Sequence, residues 1–212
     1  MVVAAQLGTT AMTQTVAPKT FATLEEYLSD DNETDARYEL VDGVLVEMGA
    51  EHRLNEKIAL WLLTEFLKHV PIDRIARGTQ ISVSSPSVTA RNPDLMVLTA
   101  ELDQLLTQKK QSLITPEMPP PLLVVEVVSP GEPGTDNYDR DYVEKPREYA
   151  ERGIPEYWII DPKERQITVL RLEKGIYIEV GVFRTDEAIV SPEFPELDLS
   201  ADRVLNAGRS GK

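Results

Sequence analysis

Apolar residues along the chain fall into short blocks whose spacing changes from block to block. From Thr23 to Ser29 a capping signature, Thr23 with Glu26 after it, predicts a short helix. Tyr38 to Met48 (YELVDGVLVEM) has apolar residues on both sides of Asp42-Gly43, a dipeptide suited to a tight turn, and reads as a β-hairpin. From His52 to Val70 the positions Leu54, Ile58, Trp61, Leu62 and Phe66 recur at helical spacing, and Pro71 marks the exit of that amphipathic helix. Ile75 to Val83 and Asn92 to Leu98 are strand candidates, separated by a Ser/Pro-rich turn from Ser84 to Ala90.

Glu101 to Lys109 reads as helical, and Thr115 to Pro121 as a proline-rich loop. Leu122 to Val128 (LLVVEVV) is a β-branched run bounded by Pro121 and Pro130, the pattern of a central strand buried on both faces. Asp139 to Arg152 predicts a helix stopped by Gly153. Glu156 to Ile160 is the next strand, ended by Asp161-Pro162, and Gln166 to Leu172 with Ile176 to Phe183 forms a second hairpin around Lys174-Gly175. This mixed order predicts an α/β or α+β fold with a central mixed sheet, helices flanking it and extra hairpins.

With 212 residues and 42% hydrophobic content, the chain is long enough for one sizeable core. The expected organisation is a leader over 1–19, a single domain over 20–206 and a Gly/Ser-rich tail over 207–212. The leader lacks the basic start and sustained apolar run of a secretory signal. No apolar run reaches the roughly 20 residues of a membrane-spanning helix, so no membrane partner is expected.

Cysteine is absent, which removes disulfides, zinc-thiolate sites and thiol nucleophiles and fits a cytoplasmic protein. The only histidines are His52 and His69, so a metal would be held mainly by carboxylates, pointing to Mg²⁺, Mn²⁺ or Ca²⁺. The net charge of −14 argues against non-specific binding of nucleic acid, whose phosphates attract Lys and Arg. A bound cation and a locally basic groove would offset it.

Candidate chemistry centres on carboxylates inside apolar strands. Glu126 sits among Val124, Val125, Val127 and Val128, where a lone ionised carboxylate costs several kcal/mol unless paired, protonated or metal-bound. Alternatively it points to solvent near the strand end or pairs with Arg140 or Arg147. Asp94 opens an apolar strand directly after Pro93, which defines the strand entry; taken alone it reads equally as an Asx turn. Neighbouring strands lie about 4.8 Å apart, so Asp94 and Glu126 on adjacent strands can share one cation. Lys145 shares a helix face with Asp141 and Tyr149 if that helix is regular, and can reach the Glu126 strand; its bland alternative is a surface ion pair with Asp141.

These residues resemble a known family. Asn92-Pro93-Asp94, Val125-Glu126-Val127 with Ser129-Pro130, and Lys145 with Tyr149-Ala150 and Gly153-Ile154-Pro155-Glu156-Tyr157-Trp158 resemble the Uma-two family of restriction-endonuclease-like proteins. That family lies within the PD-(D/E)xK nuclease superfamily. Tyr38-Glu39-Leu40-Val41-Asp42-Gly43 and His52 look like its N-terminal signature. The resemblance runs from Thr20 to Leu199 and implies a restriction-endonuclease-like αβββαβ core.

It further implies Asp94 as the motif aspartate, Glu126 as the second acid and Lys145 as a lysine moved to the following helix. Val128 stands where the superfamily's usual lysine would be. Glu39 matches an acidic position that assists the metal, or else pairs with Arg37 or Arg77. His52 caps or packs at its helix start. Pro146 follows Lys145, so a helix starting near Glu144 would leave Lys145 at its mouth.

The implied activity is Mg²⁺- or Mn²⁺-dependent endonucleolytic hydrolysis of nucleic acid, DNA in the first place. Asp94, Glu126 and the Val127 carbonyl would hold the metal. A homodimer is compatible, because cutting both strands needs two active sites. The rival expectations are a nuclease fold that binds without cleaving, and a purely structural acid cluster.

Overall fold

The structure is a computed structural model that describes residues 19–30, 38–48, 52–129 and 131–207. Apart from Lys19 and Ala207, the expected leader and tail lie outside these residues, as does Arg37. Among the described residues no helix is long and apolar enough to cross a membrane.

Helix α1 (Leu24–Leu28) carries the full capping box, with the Glu26 N–H donating to Thr23 Oγ1 and the Glu26 carboxylate receiving the Thr23 N–H. Strands β1 (Tyr38–Val41) and β2 (Val44–Glu47) form the expected hairpin. Both turn residues have positive φ, Asp42 at 48° and Gly43 at 82°, the conformation a two-residue hairpin requires. Helix α2 (Arg53–Phe66) follows, and the Leu54 N–H donates to Nδ1 of His52 at 3.4 Å, so His52 is its N-cap.

The strand expected over 75–83 is two strands, β3 (Ile75–Ala76) and β4 (Gln80–Val83), parted at Gly78 with φ +75°. They enter different sheets. The stretch expected to be a turn up to Ala90 already contains the start of β5 (Thr89–Arg91), and β6 (Leu95–Val97) follows. After helix α3 (Ala100–Lys109) come β7 (Leu113–Ile114) and β8 (Leu123–Val127).

The helix expected over 139–152 starts earlier and is not uniform. It comprises α4 (Asp136–Asp139), a π-helical turn (Arg140–Glu144) and α5 (Lys145–Glu151). A proline inside a helix lacks an N–H and crowds the carbonyl of the preceding turn, and the wider π turn lies directly ahead of Pro146. Strands β9 (Glu156–Asp161), β10 (Gln166–Glu173) and β11 (Ile176–Phe183) are followed by helix α6 (Ala201–Leu205), which the apolar pattern had not suggested.

Instead of one sheet there are two, both mixed: a six-stranded sheet ordered β11-β10-β9-β8-β6-β3 and a five-stranded sheet ordered β2-β1-β5-β4-β7. Within the larger sheet, β3, β6 and β8 are antiparallel neighbours, and β9 returns parallel to β8 after the α4–α5 crossover. With α2 ahead of β3, this gives the αβββαβ order. Period-two alternation sends Leu123, Val125 and Val127 to one face, where α2 and α6 cover them. Val124 and Val128 point to the other face, packed against α3, α5 and the second sheet.

Candidate active site

Glu126 occupies a slot on that second face, between Val124 and Val128. The antiparallel register pairs Leu95 with Val125 and Met96 with Val124, so one step further brings Asp94 alongside Glu126. Opposed residues of an antiparallel pair point to the same side, and both carboxylates therefore face α5. Asp94 Oδ2 accepts the Val127 N–H at 2.8 Å, and Arg77 Nε donates to the Asp94 carbonyl at 2.9 Å. The Val127 backbone thus holds the carboxylate at the strand mouth, and the Arg77 side chain holds the Asp94 main chain.

Helix α5 and the turn before it present two rows of side chains. One row, Asp141, Lys145 and Tyr149, faces Glu126. The Lys145 Nζ lies 2.9 Å from Glu126 Oε2 and 3.3 Å from Asp141 Oδ1, and the Tyr149 hydroxyl donates to Glu126 Oε1 at 2.7 Å. The other row, Glu144 and Glu148, faces Arg91 of β5. Arg91 forks onto Glu148 with both bonds at 2.8 Å and reaches Glu144 at 3.1 Å. Lys145 does not sit at a helix mouth, because the chain is helical from Asp136 on; its side chain is 4% exposed. Nor is its pair with Asp141 a surface one, since the Asp141 side chain is also 4% exposed.

Glu39, on β1, enters from the second sheet. Its Oε1 accepts the Asn92 N–H at 3.2 Å and its Oε2 lies 3.4 Å from Arg91 NH1. Its basic partner is Arg91, not Arg77, whose guanidinium is turned to the Asp94 backbone. Glu126 likewise pairs with Lys145 and Tyr149, whereas Arg140 pairs with Asp141. Asn55, on the buried face of α2, donates to the Val127 carbonyl at 3.1 Å and that of Val128 at 3.3 Å, fixing the chain where β8 ends.

Glu39, Asp94, Glu126 and Lys145 thus line one pocket of about 370 Å³, together with Asn55, Arg140 and Asp141. Its electrostatics are strained. Burial pushes the Glu126 carboxyl up to about 7. Lys145 pulls it down, while Asp94, Glu39 and Asp141 add to the rise. Burial also works against the Lys145 ammonium, but Glu126, Glu39 and Asp141 outweigh it and hold the group above its ordinary value. For Asp141 burial is opposed by the charges of Lys145 and Arg140, which leave it below the usual carboxylate range.

Acids outnumber cations along the pocket, and carboxylates are the commonest polar groups lining it, with the Met48 side chain and the Asn55 and Asn137 amides also on its wall. Among the described residues no three His, Cys, Asp or Glu side chains form a ready-made metal cage. Such a donor set still fits Mg²⁺, which typically takes one or two carboxylates and keeps several waters. Asp94 and Glu126, with the Val127 carbonyl, are the groups suited to hold it.

Two pocket-shaping residues had escaped the sequence reading, Arg91 and Asn55. Arg91 left a signal, an arginine directly ahead of Asn92-Pro93-Asp94. Asn55 left a weaker one, an amide on the same helix face as Ile58 and Leu62.

The αβββαβ order, with acids gathered where β6 begins and β8 ends, defines a restriction-endonuclease-like fold. The family model described as "Putative restriction endonuclease", Uma2, matches residues 21–202, and the chain belongs to that family. Among solved structures, the chain is similar to "a putative nuclease belonging to DUF820" from Anabaena variabilis ATCC 29413. The TM-score is 0.65 at 18% identity, covering 87% of this chain and 98% of that one. At that identity the similarity shows the fold. No curated protein matches the chain.

Proposed function

We propose that the protein is a metal-dependent endonuclease that hydrolyses phosphodiester bonds of nucleic acid, DNA in the first place. The observation that carries this reading is the convergence of Asp94, Glu126 and Lys145 at the floor of one acidic pocket. Membership of the Uma2 family supports it.

Asp94 and Glu126 are the proposed ligands of Mg²⁺ or Mn²⁺. When bound, such a cation supplies Lewis-acid polarisation of the scissile phosphate and makes a water a better nucleophile at neutral pH. The chain's own groups do the rest. The Val127 N–H holds Asp94 in pose, and the Tyr149 hydroxyl fixes one oxygen of Glu126. Lys145 orients the attacking water and stabilises the negative charge that develops on the phosphate. Glu39, held by Arg91 and the Asn92 N–H, adds negative charge at the pocket wall and assists cation binding. The water oxygen forms the new P–O bond as the ester P–O bond breaks; the water's proton passes to solvent and the leaving ester oxygen takes one from solvent, with no covalent enzyme intermediate.

The test is cleavage of supercoiled and linear DNA, and of RNA, with Mg²⁺ or Mn²⁺. Asp94→Ala and Glu126→Gln are expected to lower the rate by at least about 100-fold, the loss typical of a missing group that stabilises transition-state charge. They should do so without loss of folded structure by circular dichroism. Equal rates for wild type and Asp94→Ala would sink the mechanism. Metal and nucleic-acid binding without cleavage by wild type would assign the protein to binding instead.

A further inference from the structure

We propose that Asp141 is a positioning residue, a second seat that keeps the Lys145 ammonium in the pocket when a divalent cation takes Glu126. The inference rests on the metal site put forward above. Its basis is a competition visible in the geometry. Glu126 Oε1 is engaged by the Tyr149 hydroxyl and Oε2 by Lys145 Nζ. A cation drawing on Oε2 therefore competes with the lysine. Lys145 is buried and cannot swing into water at small cost. Its Nζ already lies within 3.3 Å of Asp141 Oδ1, one helical turn back, so it can transfer its weight from one carboxylate to the other.

Asp141 is built for that task. It is buried, and the Arg140 guanidinium braces it with Nε 3.1 Å from Oδ1 and NH2 3.4 Å from Oδ2. That brace keeps the carboxylate aimed across the turn at Lys145. An unbraced aspartate at the same position would be free to follow the lysine or the incoming cation. In this arrangement Asp141 lowers the competition that Lys145 offers to the metal, and it holds the ammonium beside the place where charge develops on the phosphate.

The experiment is a calorimetric titration of Mn²⁺ into the full-length chain, without substrate, over a double-mutant cycle of Asp141→Asn and Lys145→Met. Asp141→Asn is expected to weaken Mn²⁺ binding roughly tenfold, the lower end for loss of a residue supporting a metal site. In the Lys145→Met background the same substitution should have little effect, because no ammonium remains to be seated. A loss of equal size in both backgrounds would mean that Asp141 acts directly on the cation, and would overturn the proposal. So would no loss in either.

Arg140→Gln is the second variant, in case Asp141→Asn does not fold. It takes away a positive charge in both backgrounds but also the brace that aims Asp141 at Lys145, so it should tighten Mn²⁺ binding less when Lys145 is present than in Lys145→Met. Equal tightening in the two backgrounds counts against the seat. Wild type that binds no Mn²⁺ overturns both this inference and the metal site; wild type that binds while the cycle shows no coupling overturns the seat alone.

Discussion

Two glutamates buried on adjacent parallel strands, Glu126 on β8 and Glu156 on β9, face burial with different partners. Glu126 has a buried ammonium and a tyrosine hydroxyl. Glu156 has only neutral donors: Trp158 Nε1 at 2.5 Å, the Ser191 hydroxyl at 2.7 Å and the Glu193 N–H at 2.7 Å. Burial outweighs those bonds and pushes Glu156 above the ordinary carboxylate value of 4.5. A carboxyl raised on folding binds its proton more tightly in the folded chain. Its stability contribution is full below the unfolded-chain value and is lost as pH rises from there through the raised value. Wild type should therefore lose this contribution to unfolding free energy across that window, whereas Glu156→Gln should not. The measurement is urea unfolding of both at several pH values between about 4 and 8. A difference between the two that does not change with pH would refute the assignment.

At the scale of elements, the end of α5 decides how the chain passes from the Lys145 helix into β9. The Gly153 N–H donates to the Ala150 carbonyl at 3.0 Å and the Ile154 N–H to the Tyr149 carbonyl at 3.1 Å, a Schellman motif with Gly153 at φ +80°. Space is not the constraint, because a Cβ at Gly153 would meet nothing within 4 Å. Conformation is. Gly153→Ala should cost about 1 kcal/mol through the left-handed backbone alone, read as a lower urea midpoint at unchanged m-value. The π turn before Lys145 is the other local device. The i,i+4 pairs Asp141–Lys145 and Glu144–Glu148 place one row of side chains on Glu126 and the other on Arg91.

Over the whole molecule, Arg91 is where the two sheets and the site helix meet. It belongs to the five-stranded sheet, pairs with Glu148 and Glu144 on the crossover helix, and touches Glu39 from β1. Removing one partner of a buried ion pair leaves the rest uncompensated, at a cost of about 3–5 kcal/mol. Arg91→Leu should destabilise the protein on that scale, and Arg91→Leu with Glu148→Leu should recover much of the loss. Denaturant unfolding of the single and double variants checks both. A single variant within about 0.5 kcal/mol of wild type, the range of ordinary surface changes, would remove Arg91 from this role.

Local order was written in the sequence wherever a feature acts over a few residues. The Thr23 capping box, the Asp42-Gly43 and Lys174-Gly175 turns, the α2 stripe and the β-branched run around Glu126 each follow from dihedral preference or apolar period. Glu126 also declared itself locally, as a charge in a strand with no room for one. What sequence could not decide is where a strand goes. Nothing between Ile75 and Val83 except Gly78 announces that the two halves enter different sheets, because sheet membership depends on partners far along the chain. For the same reason Glu39 takes Arg91 rather than Arg77 as its partner, and Asn55 closes over the end of β8. Those contacts join residues separated by fifty positions or more, and only packing brings such residues together.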